Sequence, residues 1–388
     1  MSPREFTQNP KYLPPKAGEP ALHGAARTGD HEAIRRLIAG GADVNQPFNL
    51  ALDPGGRPML ATPLMVAAGS GEGASVETMH LLLRLGADSS FVSLPGSIAR
   101  YAAAGLGWNY KPGGDALRLQ LCLKLGCDPN EVDPRGVTLL ADAAMTGDVS
   151  RVQVLLDAGA SPNADRSVIP PNFSPMADSP FDEDAPHSFR IPLHNAVDAD
   201  EFEMVRLILA AGADVHALDR GRQTALFRAR SPRVAQLLID TGLNVEARDC
   251  LGWSPLVSAV MDGARDVVSA LIAVGADVNA THDHGFTVFM SAVSSSERCL
   301  DIIDALVDAG AHPLAVSDFG WNTFHAAIDV IGADANSEDS VRSTFKRLHA
   351  LGVVINHKDA DGWRPLDRAR HLGTETEVAV LLELGAMP

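Results

Sequence analysis

Cysteine is scarce in this sequence of 388 residues, which contains four. Two of them, Cys122 and Cys127, lie close together, but their spacing is not that of a C-x-x-C motif. A disulfide framework is therefore not indicated, and a reducing compartment is the simpler interpretation. Residues 1–18 lack the apolar core of a signal peptide, and no run of about 18 apolar residues occurs in the sequence. We therefore expect a soluble, cytoplasmic protein.

Signatures of catalysis are also missing. The sequence contains no G-x-S-x-G nucleophile motif, no G-x-x-x-x-G-K-[ST] phosphate loop and no H-E-x-x-H metal motif. His282-Asp283-His284 contains two histidines, but a zinc site needs three or four ligands, and no neighbouring motif supplies the others. We expect this segment to form a surface turn. The sequence therefore predicts no metal site and no cofactor, and it does not favour an enzyme.

Positive charge is in deficit, and aromatic residues make up only 5% of the chain. The 32 Lys and Arg residues are outnumbered by 49 Asp and Glu residues, which gives a net charge of −17. A negative field repels nucleic-acid phosphates and anionic lipid headgroups. We therefore expect neither a nucleic acid nor a membrane as partner, and a partly basic protein or peptide fits better.

Repetition, in contrast, runs through almost the whole sequence. A phrase close to Leu-Leu-x-x-Gly-Ala recurs, and several of the intervals between its glycines are 33 residues. In the uninterrupted repeats a second phrase precedes it, as in Pro192-Leu193-His194-Asn195-Ala196. Such periods indicate a stack of small structural units rather than one globular core. The recurring glycines are residues 41, 86, 126, 159, 212, 242, 275, 310, 352 and 385.

Each part of the repeat has a local structural meaning, which the copy at 249–279 shows clearly. Ser254 can cap a helix whose first turn tolerates Pro255, because a proline lacks the N–H that would be unsatisfied there. The segment 267–272 carries an apolar stripe at helical spacing for a second helix. Gly275 supplies the left-handed conformation that ends it, and 249–252 forms a tight turn. The predicted unit is turn, helix, turn, helix and extended return.

These features resemble the ankyrin repeat, whose signature is a Thr-Pro-Leu-His-x-Ala phrase with two antiparallel helices and a hairpin-like finger. The resemblance implies an all-α solenoid of about ten helix-turn-helix repeats with β-hairpin-like fingers and long loop insertions. It also implies that the histidines of the repeat phrase, His23, His194 and His325, bond backbone groups of a neighbouring turn. The function implied is that of a scaffold or adaptor, which binds a protein or peptide on its concave groove and finger tips.

Departures from the repeat define the expected domain organisation. Residues 1–18 form an N-terminal extension or cap, and residues 19–163 form repeats 1–4, with a finger insertion at 46–60. Residues 164–190 are a Pro-rich acidic insertion, and residues 191–388 form repeats 5–10. The insertion at 164–190 is either a disordered linker or an ordered flap that folds over the groove.

Three tryptophans are predicted to contact a partner. Trp253, Trp321 and Trp363 each follow a turn glycine, so they occupy corresponding finger positions in three repeats. The resemblance implies that this row of positions contacts partners, and large rigid aromatics are good binding anchors. The alternative is that the tryptophans cover the hairpin of the adjacent finger.

A second candidate set lies on the first helices of repeats four to six. Acidic and basic groups are expected to converge there beside the 164–190 insertion, and this is the best candidate for a specific pocket. They could instead form an ion-pair network that satisfies a solvated groove. The alternative function, an enzyme or small-ligand receptor, would use this pocket under the 164–190 flap. The residues are Asp142, Met145, Asn195, Asp198, Arg228 and, at a nearby position, Arg230.

Overall fold

The computed structural model describes most of the chain, and its described residues divide between two compact units, Met1–Asp214 and Val215–Pro388. The predicted cap at 1–18 and the insertion at 164–190 lie outside the described residues. The predicted division at 164–190 therefore stays a prediction. The described ranges are 19–52, 58–69, 75–92, 97–104, 116–132, 137–163, 191–219, 221–295, 300–328 and 338–387.

The described residues of the first unit form helix pairs and a hairpin. Strands β1 (Phe48–Leu52) and β2 (Pro58–Ala61) pair antiparallel within the segment predicted as an enlarged finger, and Phe48 lies opposite Ala61. The helices are α1 (Ala21–Thr28), α2 (His31–Ala39), α3 (Pro63–Gly69), α4 (Val76–Arg84), α5 (Ile98–Ala104), α6 (Ala116–Lys124), α7 (Leu139–Met145), α8 (Val149–Asp157), α9 (Pro192–Asp198) and α10 (Phe202–Ala210).

The second unit repeats the same pairing, except that a 3-10 helix, Ala225–Arg228, takes the place of its initial α-helix. Strands β3 (Thr281–His282) and β4 (Phe286–Thr287), of two residues each, form a hairpin. The α-helices are α11 (Pro232–Asp240), α12 (Pro255–Met261), α13 (Arg265–Ala273), α14 (Val288–Ser294), α15 (Leu300–Asp308), α16 (Thr323–Ile328), α17 (Glu338–Ala350), α18 (Pro365–Leu372) and α19 (Glu375–Glu383).

In each unit the helix pairs stack in sequence order to form two layers. In the first unit, α1, α3, α5, α7 and α9 contact one another in succession, and α2, α4, α6, α8 and α10 do the same. Every residue of α3 is buried, because it lies between its partner helix and the first helices of the preceding and following pairs. A single pair could not bury such a helix, so each pair depends on its neighbours for stability.

The helix boundaries follow from the residues that the sequence places there. The Ser254 hydroxyl accepts a hydrogen bond from the Val257 N–H at 3.3 Å, and Pro255 occupies the first turn of α12, as predicted. Asp148 caps α8 in the same way by accepting from the Arg151 N–H at 3.0 Å. Gly275 follows α13 with a φ of 90°, which confirms the predicted left-handed stop. The repeat phrases thus mark the boundaries of these helices.

Asparagine side chains join several of the return segments to the next one. Asn279 donates to the Gly310 carbonyl at 3.0 Å and accepts from the His312 N–H at 2.8 Å. Asn45, Asn130 and Asn163 make the corresponding pair of bonds in the first unit. These bonds fix the spacing of successive pairs by satisfying backbone groups that the loops leave open.

A turn in the second unit contains a strained residue, Arg222, which leads to a prediction. Arg222 has a φ of 61° at the position that Gly252 and Gly320 occupy in the corresponding turns at 249–253 and 317–321. A side chain is disfavoured in this left-handed region. We expect Arg222→Gly to raise the free energy of unfolding by about 0.5–1 kcal/mol, since relief of strain exceeds the entropic cost of glycine.

Urea denaturation of the two proteins measures this difference. Arg222→Ala is the matched control, because it removes the same charge and keeps the Cβ atom, and it should not be stabilising. A glycine variant no more stable than the alanine variant would contradict the argument.

Candidate interaction surface

Tight turns in the second unit, at residues 249–253, 282–286, 317–321 and 359–363, are called fingers below. In all of them except 282–286, a buried side chain at the base holds the turn. The Asp249 carboxylate accepts from the N–H groups of Leu251 at 2.9 Å and Trp253 at 2.8 Å. Asp359 accepts from the Trp363 N–H at 2.8 Å, and the Ser317 hydroxyl accepts from the Trp321 N–H at 3.3 Å. The three tryptophans are therefore held at corresponding positions by the same type of turn.

Successive fingers are also joined by backbone hydrogen bonds. The Asp318 N–H donates to the His284 carbonyl at 2.9 Å, and the Ala360 N–H donates to the Phe319 carbonyl at 3.0 Å. Gly320 lies at the second of these contacts with a φ of 74°, and a Cβ atom built there would lie 2.6 Å from the Ala360 nitrogen. The absence of a side chain at this position therefore permits the close approach of the two fingers.

Six aromatic rings on these fingers form one connected row. The centroids are 5.9 Å apart for Trp253 and His282, and 6.0 Å apart for His282 and Phe286. Phe286 then lies 5.7 Å from Trp321, which lies 5.8 Å from Phe319. Phe319 ends the row against His284, at 4.7 Å. We call these six residues the aromatic row.

The aromatic row is open to solvent at one end. Phe319 is 43% exposed and His284 is exposed, whereas Trp253 and Trp321 are half-buried. Trp363 is 38% exposed, and its ring contacts His371 at 4.9 Å rather than a member of the row. Phe319 therefore presents an apolar ring to solvent from a hydrogen-bonded turn.

Carboxylates line the same fingers. Asp283 and Asp318 directly precede His284 and Phe319, and both are exposed. Within the described part of the chain, neither forms an ion pair. Asp249 differs, because it is 7% exposed and its carboxylate holds the turn. The surface therefore combines exposed aromatic rings with exposed negative charge.

Buried histidines support the turns, as the histidine position of the repeat implies. The His325 Nε2 atom lies 3.1 Å from the Trp363 carbonyl oxygen, and the His23 Nε2 atom lies 3.0 Å from that of Ala61. Burial lowers the pKa of both imidazoles below the ordinary value of 6.5. Burial lowers the pKa of His282 as well. These histidines therefore favour the neutral form in the folded protein.

A loss of stability at mildly acidic pH follows. When the pH falls below about 6.5, the unfolded chain binds protons at histidine more readily than the folded protein, so unfolding becomes easier. We expect a lower urea midpoint at about pH 5.5 than at about pH 7.5, a range that lies above the titration of ordinary carboxylates. His325→Asn should reduce the difference. Equal midpoints at the two pH values would contradict this prediction.

In the first unit, two residues of the predicted groove set are buried. Asp142 is 2% exposed and forms an ion pair with Arg100, which is also 2% exposed. Asn195 is buried and donates to the Ala141 carbonyl at 3.0 Å. Met145 is half-buried and Asp198 is exposed. The ion pair of Asp142 thus lies within the packed helices, whereas the sequence predicted this residue in a pocket or, as the alternative, in the ion-pair network of a solvated groove.

The remaining two residues of that set, Arg228 and Arg230, belong to the second unit. Arg228 pairs with Asp219 at 2.7 Å, and Arg230 is exposed. A common pocket that includes all six residues stays a prediction, and the flap predicted over it at 164–190 lies outside the described residues.

Sequence reasoning found the tryptophans of the fingers but missed other members of the aromatic row. Phe286 follows Gly285, so it occupies the position of the tryptophans and could have been found by aligning the fingers. His282 and His284, which the sequence predicts to lie in a surface turn, also contribute rings to the row. Among the described residues, no group of three or more His, Cys, Asp or Glu has a metal-binding arrangement. In the same residues, no helix is both long and apolar enough to cross a membrane.

Two family models match parts of this chain. The model described as ankyrin repeats (3 copies) matches residues 228–317, which include the fingers 249–253 and 282–286. The model described as ankyrin repeat matches residues 17–49 and 190–220. These segments lie in both units.

Several curated proteins are similar to the chain. E3 ubiquitin-protein ligase KEG from Arabidopsis thaliana is 28% identical over 316 residues, which cover 72% of this chain and 18% of the ligase. Putative ankyrin repeat protein YahD from Escherichia coli (strain K12) is 29% identical over 183 residues, 45% of this chain and 81% of that protein. Protein phosphatase 1 regulatory subunit 27 from Homo sapiens is 44% identical over 50 residues, 13% of this chain and 32% of that protein. This chain thus spans less than a fifth of the ligase's length.

Proposed function

Because the chain is a member of the ankyrin-repeat family, whose repeats generally mediate protein–protein interactions, we propose that it is a scaffold that binds a protein or peptide through the fingers of its second unit. The observation that carries this proposal is the aromatic row, with Phe319 exposed at its end. We also infer that each of the ten helix pairs in the described residues, including the pair that begins with the 3-10 helix, is one repeat.

The aromatic row has the chemistry of a binding anchor. Large aromatic side chains dominate the energetics of protein interfaces, and rigid ones lose little conformational entropy when a partner binds. Phe319 is held on a turn whose ends are hydrogen-bonded, since the Ser317 N–H donates to the Trp321 carbonyl at 2.9 Å. The ring is therefore presented before any partner arrives.

One relative supports a partner that is a protein. The name of protein phosphatase 1 regulatory subunit 27 describes a subunit, which is a protein that assembles with another. The similarity covers 50 residues of this chain, so it supports binding to a protein but does not identify that protein.

We propose further contacts with the partner at four residues that the sequence predicted for this role: Trp363, Met145, Asp198 and Arg230.

A binding measurement with two matched variants tests the proposal. The partner is first captured from native cells with the full chain and identified, and its affinity for purified variants is then measured by calorimetry. We expect Phe319→Ala to weaken binding by about 2 kcal/mol or more, the usual effect at an interface anchor. Leu382→Ala is the control, because Leu382 is 42% exposed but lies on α19, in the second-helix layer. Equal affinity of both variants and the unmodified chain would remove the aromatic row from the interface.

A further inference from the structure

A guanidinium group already lies on the aromatic row. The Cζ atom of Arg368, which belongs to α18, is 3.8 Å from the centroid of the Trp321 ring. This distance is typical of a cation–π contact, in which the negative face of an aromatic ring attracts a positive charge. The chain's own arginine thus shows that a ring of this row accepts a guanidinium in a stacked arrangement.

The exposed end of the aromatic row offers a similar environment to a cation from outside. Phe319 lies 5.8 Å from Trp321 and 4.7 Å from His284, so the apolar surface continues from the ring that Arg368 covers. Asp318 and Asp283, exposed and without an ion-pair partner in the described residues, directly precede Phe319 and His284. An incoming cation therefore meets an aromatic ring and carboxylates on neighbouring fingers.

Arginine suits this arrangement better than lysine does. The guanidinium is planar, so it can stack on a ring with its face while its edge donates hydrogen bonds to a carboxylate. The lysine ammonium is compact and strongly hydrated. Because it is not planar, it cannot stack flat on a ring, and its contact with the ring is weaker. The finger at 317–321 offers a ring, Phe319, on which a guanidinium can stack, and a carboxylate, Asp318, to which it can donate hydrogen bonds.

We propose that the exposed end of the aromatic row, at Phe319, Asp318, His284 and Asp283, binds arginine side chains in an extended segment of the partner. The inference rests on the proposed function and adds the chemistry of the partner. The net charge of −17 supports it, because it attracts a basic segment over longer distances.

Labelled synthetic peptides provide the test, with the full chain as the receptor. One peptide contains several arginines separated by glycine and serine. In the second, lysine replaces each arginine, and in the third, the uncharged isostere citrulline does so. Fluorescence anisotropy at low salt measures the affinities. We expect the arginine peptide to bind about tenfold more tightly than the citrulline peptide. We also expect it to bind at least about threefold more tightly than the lysine peptide.

Variants of the chain locate the binding. Phe319→Leu keeps an apolar side chain of similar size and removes the aromatic face, and we expect it to weaken binding of the arginine peptide by about fivefold. Asp318→Asn should weaken it by about two- to fivefold. The matched controls are Leu382→Ala and Asp308→Asn, since Asp308 is an exposed carboxylate on α15. Neither control should change the affinity, and thermal melting verifies that every variant is folded.

The results separate this inference from the proposed function. Equal binding of the three peptides, or an affinity that neither Phe319→Leu nor Asp318→Asn changes, would overturn the assignment of arginine to this site. If the native partner still lost affinity for Phe319→Ala in that case, the interaction surface would stand and the chemistry of its ligand would be wrong. If both measurements showed no effect, both proposals would fail.

Discussion

Replacing Asp142 with alanine is expected to lower the free energy of unfolding by about 3–5 kcal/mol, as is usual when one partner of a buried ion pair is removed. Asp142 and Arg100 lie on α7 and α5, and both are almost completely buried. The substitution leaves the guanidinium of Arg100 without its counter-charge in a site that water reaches poorly. Its hydrogen bonds to the carbonyls of Glu131 and Val137, both at 2.9 Å, do not neutralise that charge.

Two comparisons make this prediction specific. Glu32→Ala removes an exposed carboxylate from α2 in the same unit, and it should change stability by no more than about 0.5 kcal/mol. The double variant Arg100→Met, Asp142→Leu removes both charges, and it should be more stable than Asp142→Ala, because no unpaired charge remains. Urea denaturation followed by circular dichroism measures all three. A loss below about 1 kcal/mol for Asp142→Ala would contradict the structural role assigned to this pair.

Replacing Gly320 with alanine is expected to cost about 2–4 kcal/mol, from the sum of a backbone term and a packing term. The φ of 74° is unfavourable for a residue with a Cβ atom, and that atom would lie 2.6 Å from the Ala360 nitrogen and 3.1 Å from the Asp359 carbonyl carbon. Backbone atoms cannot move aside as a flexible side chain can. The fingers at 317–321 and 359–363 would therefore separate, and the hydrogen bond from Ala360 to Phe319 would weaken.

Gly352 provides a matched control for this substitution. Its φ is 82°, close to that of Gly320, but a Cβ atom built there would have no neighbour within 4 Å. Gly352→Ala should therefore cost only the backbone term, about 1–2 kcal/mol. Thermal or urea denaturation measures the loss of stability of each variant. The difference between the two losses gives the contribution of the close contact between the fingers. If both alanines cost the same, the close approach of the fingers would not contribute to stability.

The repeat phrases predicted the helices well because the signals that define them are local. A serine or aspartate cap, a proline in the first turn and a glycine after the last turn lie within a few residues of the structure they determine, as at Ser254, Pro255 and Gly275. The family models and the predominantly helical fold of the described residues confirm the resemblance to ankyrin repeats. The tryptophan positions were found in the same way, since each follows a turn glycine.

Contacts between repeats were harder to predict. The sequence predicts Asp142 in a pocket or a solvated groove and not in a buried ion pair, because its partner, Arg100, lies 42 residues earlier, in a repeat whose phrase is poorly preserved. The sequence did not predict the contacts of Phe319, because they depend on the register of neighbouring fingers, which brings its ring to His284 and its carbonyl to Ala360. A single sequence shows the period of a repeat protein, but not which side chains the stacking brings into contact.

A photo-crosslinking residue at position 319 tests the central claim most directly. The full chain is produced in its native cells with benzoylphenylalanine in place of Phe319 or, as control, in place of Leu382, and crosslinked products are identified by mass spectrometry. The account predicts that a partner protein is attached at position 319, through an arginine-containing segment, and not at position 382. Attachment of the same partner at 382 and not at 319 would contradict it.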